Sequence, residues 1–295
     1  MILITGGTGF IGQALTRYLV SIGMPVRILL QPSKKTPKLP KGVSVEIAVC
    51  SINDERGLYA ALKDVDVIFH LISTEGAGTR SDLFGIDVEG TKTLAHVASQ
   101  SGIDRIFYLS HLGTDRSSAY PVLKSKAISE NHIINCGVDY TIFRSGVVYG
   151  PGDQFTTSIL KLLKTLPWVF ILPGDGKTLI QPIYLDDLIM CMHLSLDMPE
   201  TRNKVYSIGG SEYFSYRQIV ELIMKKLGIK KRLVTLSTPY LRIISVIIEQ
   251  FTSKFPISIF WLDYLAIDRT TALDSVPKVF GIIPARFSHQ LDYLN

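Results

Sequence analysis

The sequence has few cysteines and no long uninterrupted apolar run. Its three cysteines, Cys50, Cys136 and Cys191, lie far apart in a chain of 295 residues. Three isolated thiols are typical of a reducing cytoplasm, and they do not form a set with metal-ligand spacing. No apolar run approaches the roughly 20 residues that span a bilayer. We therefore expect a cytoplasmic protein without a metal site, soluble or at most peripheral at a membrane.

Charged residues are also scarce, at 19% of the chain against 46% hydrophobic residues. This balance excludes an intrinsically disordered protein and allows one large domain or two closely packed ones. The net charge of +5 is spread along the chain. Short basic clusters such as Lys34–Lys35 and Lys230–Arg232 are typical of solvated faces, so no nucleic-acid partner is expected.

The first twelve residues, MILITGGTGFIG, carry the most specific pattern. A short apolar strand is followed by a glycine turn and then by a predicted helix, Gln13–Val20. Because the strand starts at the first residue, we expect no targeting peptide. Gly6 would allow the tight turn, Gly9 the approach of a pyrophosphate, and Gly12 the packing of the helix on the strand. A helix N-terminus favours phosphate. We predict a dinucleotide site that includes Gly6, Thr8, Gly9, Phe10, Ile11 and Gly12.

Strands and helices alternate through the first half of the chain. Continuous apolar strands separated by helices predict a doubly wound parallel α/β sheet, with ligands at the carboxyl ends of the strands. The predicted strands after the first are 26–30, 43–49, 65–72, 105–110 and 140–144. The predicted helices are 58–62, 88–101 and 122–136, and a capping box at Ser215–Gln218 predicts a further helix at 219–227.

The spacing Gly6-x-x-Gly9-x-x-Gly12 resembles that of extended and atypical short-chain dehydrogenase/reductases. Three later segments also resemble this superfamily: Arg144–Gly152, Pro182–Leu188 and Tyr206–Gly210. The resemblance implies a Rossmann-type NAD(P)-binding domain at residues 1–150, to which some later segments return. It also implies a smaller C-terminal α/β domain for a substrate or partner at residues 151–295.

The superfamily uses a tyrosine as general acid/base and a lysine four residues later. Tyr120 and Lys124 have this spacing, but Pro121 pushes Tyr120 out of the α region and fits the first helical position. The run after Lys124 resembles the segment around the family's lysine better when Lys126 takes that place. Val122 then stands in the tyrosine's position, and it cannot transfer a proton. We favour Lys126 as the ribose contact, with Lys124 as the alternative.

The other catalytic positions also depart from the family pattern. Ser110 ends the fifth strand, whereas the family's hydroxyl usually falls one or two residues later, at His111 or Leu112. Asp87 stands where related sequences commonly have asparagine. A retained glycine turn with an eroded Ser/Tyr/Lys site resembles the atypical branch that includes NmrA-like redox sensors and a complex I accessory subunit. The closing segment Phe280–Phe287 resembles the complex I type more closely.

Two functions from different classes follow. The first is an NAD(P)(H)-binding protein that is weakly catalytic or has a structural or sensing role, with an unknown small molecule or protein as its partner. The alternative is an NADP-dependent oxidoreductase, epimerase or dehydratase acting on a nucleotide sugar or a similar carbonyl or alcohol. If the site is catalytic, the candidate residues are Lys126, Tyr120 and Ser110, with Lys124 as the alternative to Lys126.

The second strand ends without a carboxylate, which favours NADP(H) over NAD(H). An acidic residue there would bind both ribose hydroxyls and select NAD. Here Gln31 and Ser33 precede Lys34 and Lys35, which would tolerate or attract a 2′-phosphate. Related sequences usually have aspartate at Ser51, so the adenine contact is expected to be weaker. The remaining predicted cofactor contacts are Ile52, Leu71 and Ile72.

Residues 239–262 are rich in isoleucine, phenylalanine, leucine and tryptophan. They are compatible with an amphipathic surface that meets a membrane, a membrane complex or a partner helix. The alternative is a helix packed against the second domain, and we favour this interpretation.

Overall fold

The structure is a computed structural model, and it describes residues 1–33, 36–165, 167–251 and 259–294, without the side chains of 249–251. The chain forms two compact units. The first comprises residues 1–74, 82–144 and 188–207, and the second comprises residues 75–81, 145–187 and 208–295. The polypeptide thus leaves the first unit briefly after residue 74 and again after residue 144, and it returns at residues 82 and 188.

A seven-stranded sheet forms the centre of the first unit, in the order β11-β6-β5-β4-β1-β2-β3. The pairs β1–β2, β1–β4, β2–β3 and β4–β5 are parallel, so the predicted doubly wound α/β fold is confirmed. The strands are β1 (Ile2–Thr5), β2 (Val26–Leu30), β3 (Glu46–Val49), β4 (Val67–His70), β5 (Arg105–His111), β6 (Asp139–Ser145) and β11 (Lys204–Ile208).

Two strands are shorter than the sequence predicted. Strand β3 begins at Glu46 rather than at residue 43, because it pairs only with β2 and the pairing starts at Arg27 opposite Glu46. Strand β4 covers 67–70 rather than 65–72. Before it, Asp64 has a positive φ of 62°, so the chain is still turning there.

The helices of the first unit are close to the predicted ones. They are α1 (Phe10–Ser21), α2 (Glu55–Ala61), α3 (Gly90–Gln100) and α4 (Pro121–Ile134). Helix α1 begins three residues earlier than predicted, directly after the glycine turn. A π-helical turn at Leu83–Glu89 precedes α3. Helix α6 (Leu185–Leu194) and a 3₁₀ turn at Pro199–Thr201 lead towards β11.

The second unit contains three two-stranded sheets: β7 with β10, β8 with β13, and β9 with β12. Ser215 and Gln218 form the predicted capping box at the start of α7. The strands are β7 (Val148–Tyr149), β8 (Val169–Pro173), β9 (Leu179–Ile180), β10 (Ile183–Tyr184), β12 (Phe214–Ser215) and β13 (Arg232–Leu236). The helices are α5 (Phe155–Thr165), α7 (Tyr216–Lys226), α8 (Thr238–Phe251), α9 (Ile259–Tyr264) and α10 (Ser275–Phe280), with 3₁₀ turns at Glu75–Arg80, Phe287–His289 and Asp292–Leu294.

Among the described residues, no helix combines the length and apolar character needed to cross a bilayer.

Candidate functional site

The candidate site lies at the carboxyl edge of the central sheet. Thr5, His70 and Tyr108 are aligned across the neighbouring strands β1, β4 and β5. The chain continues from these residues into the glycine turn, into Leu71–Ile72 and into Leu109–Ser110. The parallel register therefore brings these three predicted cofactor segments to one edge, where ligands of such sheets bind.

The glycine turn leaves no room for side chains at two of its positions. Gly6 has a φ of 73°, and a Cβ there would lie 2.8 Å from the carbonyl carbon of Leu71. At Gly12 a Cβ would lie 2.2 Å from the Gly6 oxygen. Gly12 thus lets α1 approach the turn itself, in addition to the predicted packing on the strand.

Gly9 differs from these two glycines. It is exposed and forms the N-cap of α1 with an extended conformation, φ −77° and ψ 173°. A Cβ at Gly9 would meet only the Gly6 oxygen, at 3.2 Å. No side chain caps α1, and its first turn has no acidic residue. The N-terminal amides of α1 are consequently available for an anion.

The residues predicted to surround the adenosine lie at the same edge. Gln31 and Ser33 follow β2 and are exposed, whereas the predicted contacts Lys34 and Lys35 lie outside the described residues. The Ser51 hydroxyl accepts a hydrogen bond from the Asn53 amide at 3.3 Å. The Ile52 side chain is buried.

Helix α4 is fixed by polar contacts on the side that contains Lys126. The Lys126 amino group donates to the Leu109 carbonyl oxygen at 3.4 Å and lies 5.3 Å from the centre of the Tyr108 ring. One turn later, the buried Glu130 carboxylate binds Arg144 at 2.6 Å. Because Leu109 and Tyr108 belong to β5, α4 holds the Lys126 charge beside the carboxyl half of that strand.

The structure distinguishes between the two candidate lysines. Lys126 is 4% exposed and contacts β5, whereas Lys124 lies on the exposed side of α4. Tyr120 is the N-cap of α4, with φ −90° and ψ 117°, and Pro121 is its first residue, as the sequence predicted. Val122 is buried one helical turn before Lys126. The position four residues before the buried lysine is therefore apolar.

The remaining polar candidates have protein partners. The hydroxyls of Ser110 and Thr114 lie 3.1 Å apart, and both residues are buried. The Asp87 carboxylate accepts hydrogen bonds from the hydroxyls of Ser73 and Thr74, each at 2.6 Å. Asp87 therefore anchors the segment after β4.

Sequence reasoning missed the buried imidazole of His70. Its Nδ1 lies 2.7 Å from the Thr5 hydroxyl, and its Nε2 lies 2.8 Å from the Thr91 hydroxyl. Because Thr91 donates its proton to the Asp87 carbonyl oxygen, we assign the imidazole proton to Nε2 and an acceptor role to Nδ1. The signal in the sequence was that each of two apolar strands, β1 and β4, ends in a polar residue, Thr5 and His70.

Burial and, to a smaller extent, the charge of Lys126 together lower the pKa of His70 to about 3. His70 is therefore neutral at the edge of the sheet, and both of its ring nitrogens are used in hydrogen bonds. His70 thus lies with Lys126 and the glycine turn at the edge of the sheet where the predicted cofactor segments meet.

Residues 1–270 match the sequence profile of the NmrA-like family. The chain is 25% identical over 257 residues to the NADH dehydrogenase 1 alpha subcomplex subunit 9 of Arabidopsis thaliana, covering 85% of this chain and only 64% of that protein. It is 24% identical over 305 residues to a ceramide reductase of Caulobacter vibrioides, covering 99% and 94% of the two chains.

Solved structures show the same fold. A dTDP-glucose 4,6-dehydratase from Streptomyces venezuelae, solved with NAD, superimposes with a TM-score of 0.73 at 20% identity, covering 98% of this chain and 94% of that one. The predicted resemblance to extended and atypical short-chain dehydrogenases is therefore confirmed.

Proposed function

The chain belongs to the NmrA-like family, and we propose that it binds a nicotinamide dinucleotide without using the tyrosine-dependent proton transfer of short-chain dehydrogenases. The pyrophosphate would lie against Gly9 and the free amides of α1, and Lys126 would hold the nicotinamide ribose. The NAD bound by the Streptomyces dehydratase supports this class of cofactor.

One observation carries the proposal. The buried lysine of α4 is Lys126, and the residue one turn before it on the same helical face is Val122. A phenol with a pKa near 10 needs a neighbouring cation to act as a base at neutral pH. Tyr120 precedes the helix, and its i+4 partner Lys124 points away from the core. In this proposal the chain keeps the ribose contact, Lys126, but lacks the tyrosine that would transfer a proton. Such a site is compatible with a redox sensor, an assembly protein or a weak reductase.

We further propose that NADPH binds at least as tightly as NADH. Among the described residues that follow β2, the exposed Gln31 and Ser33 are neutral, so neither would repel a 2′-phosphate. Substitution of Lys34 or Lys35 by alanine would then weaken NADPH binding alone.

The test is a calorimetric titration of NADPH and NADH into the wild type and into lysine variants. Lys126→Met keeps the buried stem and removes the charge, so we expect a loss of about 1–3 kcal/mol in binding free energy for both cofactors. Lys124→Met is the matched control, since it changes the same residue type on the exposed side of α4, and it should bind like the wild type.

Two results would contradict the proposal. A folded wild type that binds neither cofactor would remove the dinucleotide site. Weakened binding in Lys124→Met together with normal binding in Lys126→Met would make Lys124 the ribose contact.

The nearly full-length match to a ceramide reductase supports a second, enzymatic function. In this alternative the chain is an NADP-dependent oxidoreductase acting on a carbonyl or alcohol group, and Tyr120 with Lys124 is its catalytic pair. The half-buried Tyr120 lies directly before α4, so the two functions differ in whether this phenol transfers a proton.

A further inference from the structure

Helix α8 exposes an apolar stripe on its surface. Four large hydrophobic side chains at helical spacing are exposed to solvent: Tyr240 at 65%, Ile243 at 59%, Ile244 at 43% and Ile247 at 52%. Residues at i, i+3, i+4 and i+7 lie within about 100° around a helix. They therefore form one continuous face, which we name the α8 stripe.

The opposite side of α8 is the one that packs against protein. Leu241 and Ser245 are buried, and Arg242 forms an ion pair with Asp263 of α9 at 2.8 Å. Around the helix, Ser245 lies about 150° from the centre of the stripe. A surface helix ordinarily buries its apolar side, whereas α8 leaves a large apolar face exposed. The interpretation from the sequence, a helix packed against the second domain, therefore accounts for only one side of α8.

The segment that precedes α8, together with the helix as far as Ile248, contains basic residues and no acidic ones. Between Glu221 and Glu249 it has no acidic residue and six basic ones: Lys225, Lys226, Lys230, Lys231, Arg232 and Arg242. The exposed members include Lys225, Lys230 and Arg232. Such a segment would attract a negatively charged surface and would repel a second copy of itself.

An exposed tryptophan adjoins this basic segment. Trp168 is 80% exposed, and its carbonyl oxygen accepts a hydrogen bond from the Arg232 amide at 3.0 Å. Tryptophan, tyrosine and basic side chains are the residue types that prefer the interface between lipid headgroups and acyl chains.

We propose that the α8 stripe docks this protein on an anionic membrane surface, with α8 lying in the plane of the interface. The stripe would enter the boundary between headgroups and acyl chains, and the exposed Lys225, Lys230 and Arg232 would contact the anionic headgroups. This inference is independent of the proposed cofactor site.

The experiment is co-sedimentation of the full chain with vesicles of phosphatidylcholine alone or with phosphatidylglycerol added. We expect binding to the anionic vesicles only, and weaker binding at high salt because screening shortens the range of the attraction. The double variant Ile243→Ser, Ile247→Ser should partition about tenfold or more weakly. The triple variant Lys225→Gln, Lys230→Gln, Arg232→Gln should also lose binding.

The matched control is Ile22→Ser with Ile47→Ser. These two isoleucines lie in the first unit and are 44% and 45% exposed, so the control removes the same apolar groups from another surface. It should bind anionic vesicles like the wild type, and circular dichroism should show that all variants are folded.

Three results would overturn the proposal. One is a wild type that binds no vesicles, and another is equal binding to neutral and anionic vesicles. The third is a dimer in sedimentation velocity that the Ile243→Ser, Ile247→Ser variant dissociates while vesicle binding is unchanged. The last result would assign the stripe to a second copy of this chain.

Discussion

At the scale of single residues, Gly6, Gly9 and Gly12 of the first turn have different roles. Side chains at Gly6 and Gly12 would collide with backbone atoms, whereas a Cβ at Gly9 would meet only the Gly6 oxygen, at 3.2 Å. Gly9 is therefore the position at which a substitution can alter ligand binding while the turn stays intact.

Substituting Gly9 by aspartate should abolish dinucleotide binding without unfolding the protein. The φ of −77° at this N-cap suits any residue, and aspartate is among the best N-caps. Its carboxylate would nevertheless occupy the place of the pyrophosphate and repel it. Calorimetry with NADPH and NADH, alongside a thermal melt, measures both effects.

Gly9→Asn is the matched control for this prediction, because asparagine has nearly the same shape and capping ability without the charge. We expect Gly9→Asn to retain more affinity than Gly9→Asp. A folded Gly9→Asp protein with wild-type affinity would place the phosphates elsewhere.

At the scale of the secondary-structure element, the start of α4 decides what chemistry the site can perform. Pro121 fixes the first helical residue, so Tyr120 keeps an extended backbone and lies outside the helix. The residue one turn before Lys126 on the same face is Val122, and this follows from the spacing of the sequence. The site thus lacks the usual pair for two reasons: Tyr120 precedes the helix, and position 122 is apolar.

Tyr120→Phe should leave cofactor affinity and any slow reductase turnover nearly unchanged. The phenol is expected to have no proton to transfer, because the cation of α4 that contacts β5 is Lys126. NADPH oxidation with a panel of aldehydes, ketones and quinones measures the turnover. A drop of roughly 10²–10⁴-fold, typical of a lost general acid/base, would instead establish Tyr120 with Lys124 as the catalytic pair.

At the scale of the whole molecule, His70 links acidity to stability. Its folded pKa of about 3 is lower than that of an exposed histidine, so between about pH 6.5 and pH 3 the unfolded chain binds a proton that the folded chain excludes. The contribution of neutral His70 to the free energy of unfolding is therefore fully present above about pH 6.5. It decreases as the pH falls from about 6.5 towards 3.

Lowering the pH from 7 to 5 should therefore destabilise the wild type by about 2 kcal/mol more than His70→Gln, by the linkage of unfolding to protonation. Glutamine retains polar groups for Thr5 and Thr91 and has no charge to gain. Urea unfolding of both proteins at the two pH values measures the difference. Equal pH dependence would show that His70 is already able to take up a proton in the folded state.

Local sequence patterns predicted the succession of strands and helices as far as residue 144 and the position of the glycine turn, but not α6 or β11. These features depend on local patterns, namely apolar runs, glycines at fixed spacing and the restrictions that Pro121 imposes on Tyr120. The capping box at Ser215 and Gln218 was predictable for the same reason, since all its hydrogen bonds lie within four residues.

The groups that meet at the edge of the sheet could not be predicted from local patterns. Thr5 and His70 are 65 residues apart and become neighbours through strand register, which no local pattern encodes. The exposure of the α8 stripe was equally unpredictable. Apolar spacing defines a helical face, but the contacts made by Leu241, Arg242 and Ser245 determine that the opposite face is the one that the protein buries.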